Sequence, residues 1–220
     1  MVAANIVSVT ILAVDTPHGR ANVHLHPVDA PRGALVLGHG AGGGVTSRDL
    51  VAVTGVARSK GVSVALVEQP YRVAGRRAPA PARQLDAAWT AVVAVLLSGE
   101  LRGLPLVVGG RSSGARVACS TAGATGAVGV LCLAFPLRPP RGGPNATPAA
   151  SRLHELEMVT VPALVVQGAR DPFGIPPPAA RRTVVEVLSD HSLRTDLGAV
   201  AAAVRAWLPL VVGHGPATGS

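Results

Sequence analysis

Residues 104–118, LPLVVGGRSSGARVA, constrain the fold more than any other stretch of this chain. A run of apolar residues stops at two glycines, Ser112 follows between Gly110 and Gly114, and small residues suited to a helix come next. This order predicts a buried strand, a sharp turn and a helix. Glycine on both sides of the serine leaves room for a strained turn that lifts the hydroxyl above the end of the strand.

Two interpretations of Ser112 follow from this pattern. Gly-x-Ser-x-Gly between a strand and a helix is typical of the nucleophile elbow of serine hydrolases. The same residues also suit a serine that only caps a helix at a tight turn. Because the chain is rich in glycine, the pentapeptide also arises by chance, and the choice depends on partner residues elsewhere in the sequence.

The length of 220 residues fits one domain whose core needs neither disulfide nor metal. We expect that domain over residues 1–212 and a disordered tail over residues 213–220. The first residues lack the basic segment and cleavage site of a secretory signal. No uncharged apolar run approaches the ~20 residues of a membrane span. These features favour a cytoplasmic protein with no membrane partner.

The formal charge of +8 does not by itself indicate a nucleic-acid partner. The basic residues are scattered and nearly all arginine, and aromatic residues that could stack on bases make up only 2% of the chain. We expect no nucleic-acid binding.

Cys119 and Cys132 fall in a predicted helix and a predicted strand, so buried reduced thiols are expected. His24 and His26 share a face of one strand, where solvation explains them better than a metal site.

Strands and helices are predicted to alternate along the chain. The predicted strands are 6–14 and 21–28, which form an antiparallel hairpin, and 34–37, 62–67, 104–108, 128–135, 163–167 and 183–188. The predicted helices are 50–59, capped by Ser47 or Asp49, and 83–98, 113–121, 152–158 and 196–208. Residues 68–81 and 136–148 are predicted loops. The alternation predicts a mostly parallel sheet with helices on both faces.

Ligands of such sheets bind beyond the carboxyl ends of the strands. Residues 38–44 and 68–72, Ser112, Asp171 and His191 each directly follow a predicted strand. The sequence therefore predicts that they lie along one edge of the sheet.

A serine hydroxyl needs a base to accept its proton, and the base needs an acid that fixes its tautomer. His191 and Asp171 suit these roles, because they follow Ser112 in the order serine, acid, histidine and each comes after its own strand. Asp190 is the alternative acid, but a neighbour in sequence seldom turns its carboxylate onto the adjacent ring. His39 is the alternative base, although at the end of its strand it is better suited to shape the loop.

The carbonyl that such a serine attacks develops negative charge, which backbone N–H groups stabilise. The N–H of Ser113 is one predicted donor of this oxyanion hole. The loop Gly40, Ala41 and Gly42 is expected to supply the second, because glycine allows the backbone to approach closely.

Substrate contacts are predicted for Tyr71, Arg72 and Arg111. Tyr71 and Arg72 belong to the arginine-rich loop at the predicted edge, where cations could hold an anionic group. Arg111 immediately precedes the serine. Solvated arginines are the alternative interpretation of the loop.

Five ordered motifs then point to a family. They are HGAGG at 39–43, EQPYR at 68–72 with GRR at 75–77, GGRSSGAR at 109–116, QGARDPFG at 167–174 and DHSL at 190–193. Together, over residues 34–195, they resemble the small predicted α/β-hydrolases related to testis-expressed protein 30 and to dienelactone hydrolases. The resemblance implies an α/β-hydrolase fold with minimal or no lid, and Ser112, Asp171 and His191 as the catalytic triad. Dienelactone hydrolases proper use a cysteine nucleophile, so Ser112 argues against lactone chemistry of that type.

These inferences predict a serine hydrolase acting on a small ester, thioester or related acyl substrate through an acyl-enzyme. We expect no metal and no cofactor. The few large aromatic side chains favour a small pocket and short acyl chains. The sequence does not indicate the oligomeric state.

Two other functions stay open at this point. Gly38, Gly40 and Gly43 match a Gly-x-Gly-x-x-Gly dinucleotide fingerprint, and Glu68 ends the next strand, where a ribose-binding acid would lie. That hypothesis leaves the serine, acid and histidine unexplained. The second alternative is a protein of the same fold that binds partners and has lost catalysis.

Overall fold

An eight-stranded sheet organises residues 9–139 and 150–213, the part of the chain that the computed structural model describes. Its strands are β1 (Thr10–Thr16), β2 (Gly19–His26), β3 (Gly33–Gly38), β4 (Val62–Glu68), β5 (Leu106–Arg111), β6 (Gly129–Leu133), β7 (Ala163–Gly168) and β8 (Arg182–Val187). They lie in the order β1-β2-β4-β3-β5-β6-β7-β8. Strand β2 is antiparallel to β1 and to β4, and β3 to β8 are all parallel. The predicted sheet with its amino-terminal hairpin is confirmed.

Six helices are present in the described residues. They are α1 (Arg48–Ser59), α2 (Pro70–Val73), α3 (Ala82–Ser98), α4 (Ser113–Thr121), α5 (Leu153–Glu157) and α6 (Leu197–Val212). Helices α1 and α6 cover one face of the sheet, and α3 and α4 cover the other. The parallel strands β3 to β7 are buried on both faces, which explains their continuous runs of valine and leucine. No described helix is long and apolar enough to cross a membrane.

The predicted elements shift where tertiary contacts outweigh local signals. In the hairpin, Thr16 pairs with Gly19, so the turn shortens to Pro17 and His18. The predicted loop 68–81 contains the short helix α2, with Pro70 at its first position, where the missing N–H costs nothing. Helix α6 continues past the predicted end at Leu208 through Pro209, because the two valines that follow are buried.

Other predictions concern caps, thiols and chain segments. Ser47 is the N-cap of α1, but its side chain makes no capping hydrogen bond. Cys119 and Cys132 are free and buried as expected, with their Sγ atoms 3.5 Å apart. Residues 6–8 of the predicted hairpin, residues 140–148 of the predicted loop and residues 214–220 of the predicted tail lie outside the described residues.

The turn between β5 and α4 depends on glycine backbone approaching backbone. Ser112 has φ 51° and ψ −108°, a backbone conformation that is unfavourable for a residue with a side chain. A Cβ on Gly110 or on Gly114 would overlap the carbonyl oxygen of Gly38 at the end of β3. The turn therefore rises directly beside the end of the neighbouring strand.

We expect Gly114→Ala to destabilise the protein by about 1–3 kcal/mol or more, because the new methyl group must displace the β3 backbone. The matched control is Gly55→Ala in α1, where a Cβ meets no atom within 4 Å. That change should stabilise the helix by roughly 0.5–1 kcal/mol. Urea unfolding of both variants measures the difference, and equal effects would contradict the close packing described above.

Candidate active site

The carboxyl ends of the parallel strands bring the predicted site residues together. Three loops define this edge: the glycine loop (residues 38–44) after β3, the acid loop (residues 168–174) after β7 and the histidine loop (residues 188–196) after β8. Ser112 stands between them at the start of α4. The edge that the sequence predicted is therefore formed by the parallel order of the strands.

Ser112, His191 and Asp171 form a continuous chain of contacts. The Nε2 atom of His191 lies 3.0 Å from the Ser112 Oγ, and its Nδ1 lies 2.8 Å from the Asp171 Oδ2. The Asp171 side chain is fully buried, whereas the His191 side chain is 19% exposed. With Nδ1 as donor to the carboxylate, Nε2 is the atom that can accept the serine proton.

The Asp171 carboxylate is held by further donors that the sequence analysis missed. The backbone N–H of Phe173 donates to Oδ1 at 2.9 Å, and the amide of Gln167 donates to Oδ2 at 2.8 Å. Gln167 is fully buried, and its Nε2 also lies 3.0 Å from the carbonyl oxygen of Gly174. In the sequence, the signal for this contact was a glutamine at the end of an otherwise apolar strand. Its amide ties the acid loop to β7.

The imidazole of His191 also has an aromatic neighbour. Its ring centroid lies 4.2 Å from that of Phe173, with the planes inclined by 32°. The residue that donates its backbone N–H to the acid thus also packs on the histidine. The short segment around Phe173 therefore orients both the Asp171 carboxylate and the His191 ring.

Asp190, the alternative acid, interacts within its own turn. Its Oδ1 accepts hydrogen bonds from the backbone N–H and the hydroxyl of Ser192. These bonds lower the pKa of the Asp190 carboxyl. The carboxylate that contacts His191 is that of Asp171.

His39, the alternative base, is a buried residue at the start of the glycine loop. Its Nδ1 is 2.8 Å from the Gly40 carbonyl oxygen, and its Nε2 accepts the backbone N–H of Gln69 at 3.1 Å. Burial lowers the pKa of His39, because the charged ring would lose its hydration. This neutral ring joins the glycine loop to the segment after β4.

The glycine loop, where the sequence predicts oxyanion donors, is fixed from two sides. The Gly43 N–H donates to the Gly40 carbonyl oxygen at 3.1 Å, and the Tyr71 hydroxyl donates to the Ala41 carbonyl oxygen at 3.0 Å. Within residues 9–139 and 150–213 the Ala41 N–H has no acceptor. The Ser113 N–H opens α4, where a helix leaves its first N–H groups without an internal acceptor.

The structure gives the three predicted substrate residues different surroundings. Tyr71 is only 3% exposed, and its hydroxyl is used by the glycine loop, which favours a structural contact over a substrate contact. Arg111 is directed to Asp49 and to the histidine loop. Arg72 is half-buried, and its Nη1 lies 3.5 Å from the Arg76 carbonyl oxygen. Direct substrate binding by these residues stays a prediction.

Two cavities differ in their relation to Ser112. A cavity of about 140 Å³ lies between α3 and α4 beside Ser113, and its other polar residues are Asp86, Arg116, Ser120 and Glu155. A larger apolar cavity of about 500 Å³ includes Val128 and Pro162. Those two residues precede β6 and β7, at the opposite edge of the sheet. The smaller cavity includes Ser113, the residue that follows Ser112.

The glycines of the dinucleotide pattern have packing partners inside the protein. A Cβ on Gly38 would lie 3.2 Å from Gly114 and from Trp89, and one on Gly40 would lie 2.8 Å from the Arg111 guanidinium. The side chain of Glu68 accepts a hydrogen bond from Asn22 at 3.4 Å.

Across the described residues, no group of three His, Cys, Asp or Glu side chains is arranged to hold a metal.

Comparison with known proteins decides the family. The family model described as an alpha/beta hydrolase domain matches residues 31–195. The chain belongs to this α/β-hydrolase family. No curated protein sequence matches it significantly.

Solved structures share the α/β-hydrolase fold over nearly the whole chain. An α/β serine hydrolase without a lid from Xanthomonas campestris is 20% identical, with a TM-score of 0.67, covering 96% of this chain and 97% of its own. Est1E from Butyrivibrio proteoclasticus is 15% identical, with a TM-score of 0.73 and coverages of 94% and 100%. Dienelactone hydrolase from Anabaena variabilis is 16% identical, with a TM-score of 0.72 and coverages of 93% and 98%.

We expect Gln167→Glu to destabilise the protein by about 3 kcal/mol or more near pH 8, because it buries a second carboxylate against Asp171. Two carboxyl groups this close cannot both ionise, so the folded variant keeps a proton that the unfolded chain releases. Its stability is therefore lost as the pH rises from about 5 to 8. Urea unfolding across this range tests the effect, and Gln167→Met is the uncharged control. Parallel pH curves for the two variants would contradict the contact.

The buried His39 predicts a second pH dependence. Because burial lowers its pKa in the folded state, acid protonates the unfolded chain first, and stability falls as the pH drops below about 6.5. The loss is at most about 1.4 kcal/mol per pH unit. Unfolding free energies of His39→Gln should fall less steeply than those of the unmodified protein. Replacement of His18, which is exposed in the hairpin turn, is the control.

Proposed function

We propose that this protein is a serine hydrolase that cleaves a small ester, thioester or related acyl substrate through an acyl-enzyme on Ser112. The observation that carries the proposal is the contact chain from the Ser112 Oγ through His191 to Asp171, at 3.0 and 2.8 Å. Membership of the α/β-hydrolase family supports it, as do the esterase and serine hydrolase structures with the same fold.

In the first step, the Nε2 atom of His191 accepts the hydroxyl proton while the Ser112 Oγ attacks the carbonyl carbon of the substrate. The buried carboxylate of Asp171 stabilises the imidazolium that forms and holds the Nδ1–H tautomer. The imidazolium then gives the proton to the leaving alcohol or thiol, which departs and leaves the acyl group on Ser112.

The negative charge on the carbonyl oxygen requires fixed donors. The Ser113 N–H at the start of α4 and the N–H of Ala41 in the glycine loop are the donors we assign, with Gly40 and Gly42 shaping that loop. Loss of one such donor in a serine hydrolase costs about 3 kcal/mol of transition-state stabilisation. The loop bonds from His39 and Tyr71 keep the Ala41 N–H in a constant position.

In the second step, His191 takes a proton from water, and the hydroxide attacks the acyl carbon. The acid is released, and the serine recovers its proton from the imidazolium. No metal or cofactor takes part in this sequence. The 19% exposure of the His191 side chain gives water access to the ring.

We expect a fluorophosphonate probe to label Ser112 in the unmodified protein. Labelling should be lost in Ser112→Ala and should slow by about 10³-fold or more in His191→Ala and Asp171→Asn, because an unactivated serine is a poor nucleophile. Intact mass and peptide mapping identify the modified residue.

Asp190→Asn is the matched control for the acid, and it should label at the unmodified rate because its carboxylate bonds to Ser192. A folded protein that is not labelled would favour the alternative, a catalytically silent partner-binding protein of the same fold. Tight NAD(P) binding by calorimetry would instead favour the dinucleotide hypothesis.

The small share of aromatic side chains, 2% of the sequence, supports a small acyl site and short acyl chains. We expect kcat/KM for 4-nitrophenyl esters to be highest for acetate or butyrate and to fall for longer acyl groups. Rates that rise steadily toward long chains would contradict a small acyl site.

A further inference from the structure

The guanidinium of Arg111 joins the glycine loop and the histidine loop to α1. Arg111 is the last residue of β5 and immediately precedes the serine. Its Nη2 donates to the His191 carbonyl oxygen at 3.1 Å, and its Nε lies 3.3 Å from the Asp49 Oδ2 in α1. Its Nη1 lies 2.8 Å from the position that a Cβ on Gly40 would occupy. One planar cation therefore contacts the histidine loop, α1 and the glycine loop.

The ion pair that holds this guanidinium is shielded from solvent. The side chain of Asp49 is 1% exposed and that of Arg111 is 17% exposed. The Asp49 Oδ2 makes no hydrogen bond within the described residues, so the adjacent cation compensates its charge. A buried carboxylate beside a guanidinium fixes that group more firmly than a solvated pair would.

Glycine in the glycine loop makes room for the cation. Apart from the Arg111 Nη1, the nearest atoms to a Cβ on Gly40 are at 3.6 and 3.7 Å, which are ordinary contacts. The guanidinium thus sets the spacing between this loop and the elbow. The sequence prediction that Arg111 contacts substrate leaves these three interactions out.

We propose that Arg111 is a positioning residue that holds His191 and the glycine loop in place relative to Ser112, with Asp49 anchoring its guanidinium. The effect on catalysis rests on the proposed hydrolase function, whereas the effect on the loops does not. The proposal adds a cation and an aspartate that support the active site.

Arg111→Met tests the proposal through two readouts. Hydrogen exchange should become faster in residues 38–44 and 188–196, because both loops lose their common partner, and stay unchanged at the opposite edge of the sheet. The fluorophosphonate labelling rate and kcat should fall by about 10–100-fold, with KM changed by less than about twofold, because a displacement near 1 Å misaligns the reacting groups.

A double variant separates positioning from stability. Arg111→Met alone leaves Asp49 buried and unpaired, which lowers the free energy of unfolding. Arg111→Met with Asp49→Asn removes both charges, so stability should recover while the loops stay mobile and labelling stays slow. If labelling recovered together with stability, Arg111 would be a purely structural residue and the proposal would be overturned.

Arg182→Met is the matched control. Arg182 is a buried arginine whose Nε donates to the Pro177 carbonyl oxygen at 2.8 Å, and it begins β8 at the opposite edge from Ser112. Its replacement should lower stability and leave the labelling rate of the folded protein unchanged. A labelling loss equal to that of Arg111→Met would overturn the proposal.

Gly40→Ala gives an independent test. In the unmodified background the new methyl group must displace the guanidinium, so labelling should slow. In the Arg111→Met background the same change should have a much smaller effect, because the nearest atom is gone. Additive effects would contradict the contact.

The outcomes distinguish the two proposals. If the unmodified protein is not labelled but Arg111→Met loosens both loops, the hydrolase function fails and the positioning role stands. If the unmodified protein is labelled and Arg111→Met changes neither loop exchange nor labelling, the function stands and the positioning role is wrong.

Discussion

The site depends on a close approach of two backbones, that of β3 at Gly38 and that of the turn around Gly110 and Gly114. Any side chain at either of the last two positions would overlap the Gly38 carbonyl oxygen. The approach brings Ser112 beside the glycine loop, and the tight packing supports the serine's positive φ. Local backbone strain is therefore maintained by packing between two parallel strands rather than by the turn alone.

Buried polar contacts hold in place the loops that this packing brings together. The glycine loop is bound by a neutral histidine and a tyrosine hydroxyl, and the acid loop is bound by the Gln167 amide. Each donor or acceptor is shielded from water, where leaving it unpaired would be costly. The glycine loop and the acid loop are thus linked to neighbouring elements by side chains, in addition to the contacts within each loop.

The local sequence predicted the elements well where the apolar runs are long. Helix α4 begins and ends as predicted, and the buried strands lie within a few residues of their expected bounds. The prediction differed where a long-range contact decides the outcome. Helix α6 continues through Pro209 because the valines beyond it pack on the sheet, although proline alone indicates a helix end.

The sequence by itself determined the order of the strands and helices, the strained serine turn and the succession of serine, acid and histidine, because these depend on local pattern and chain order. Only the tertiary structure decided which side chains support them. The pairing of Arg111 with Asp49, and the contact of Gln167 with Asp171, involve side chains whose meeting depends on how strands and loops pack. Tyr71 and Arg111 look like substrate residues in the sequence, because their chemistry suits binding. In the folded protein, burial and hydrogen bonds direct both side chains toward the loops around Ser112, and direct substrate binding by them stays a prediction.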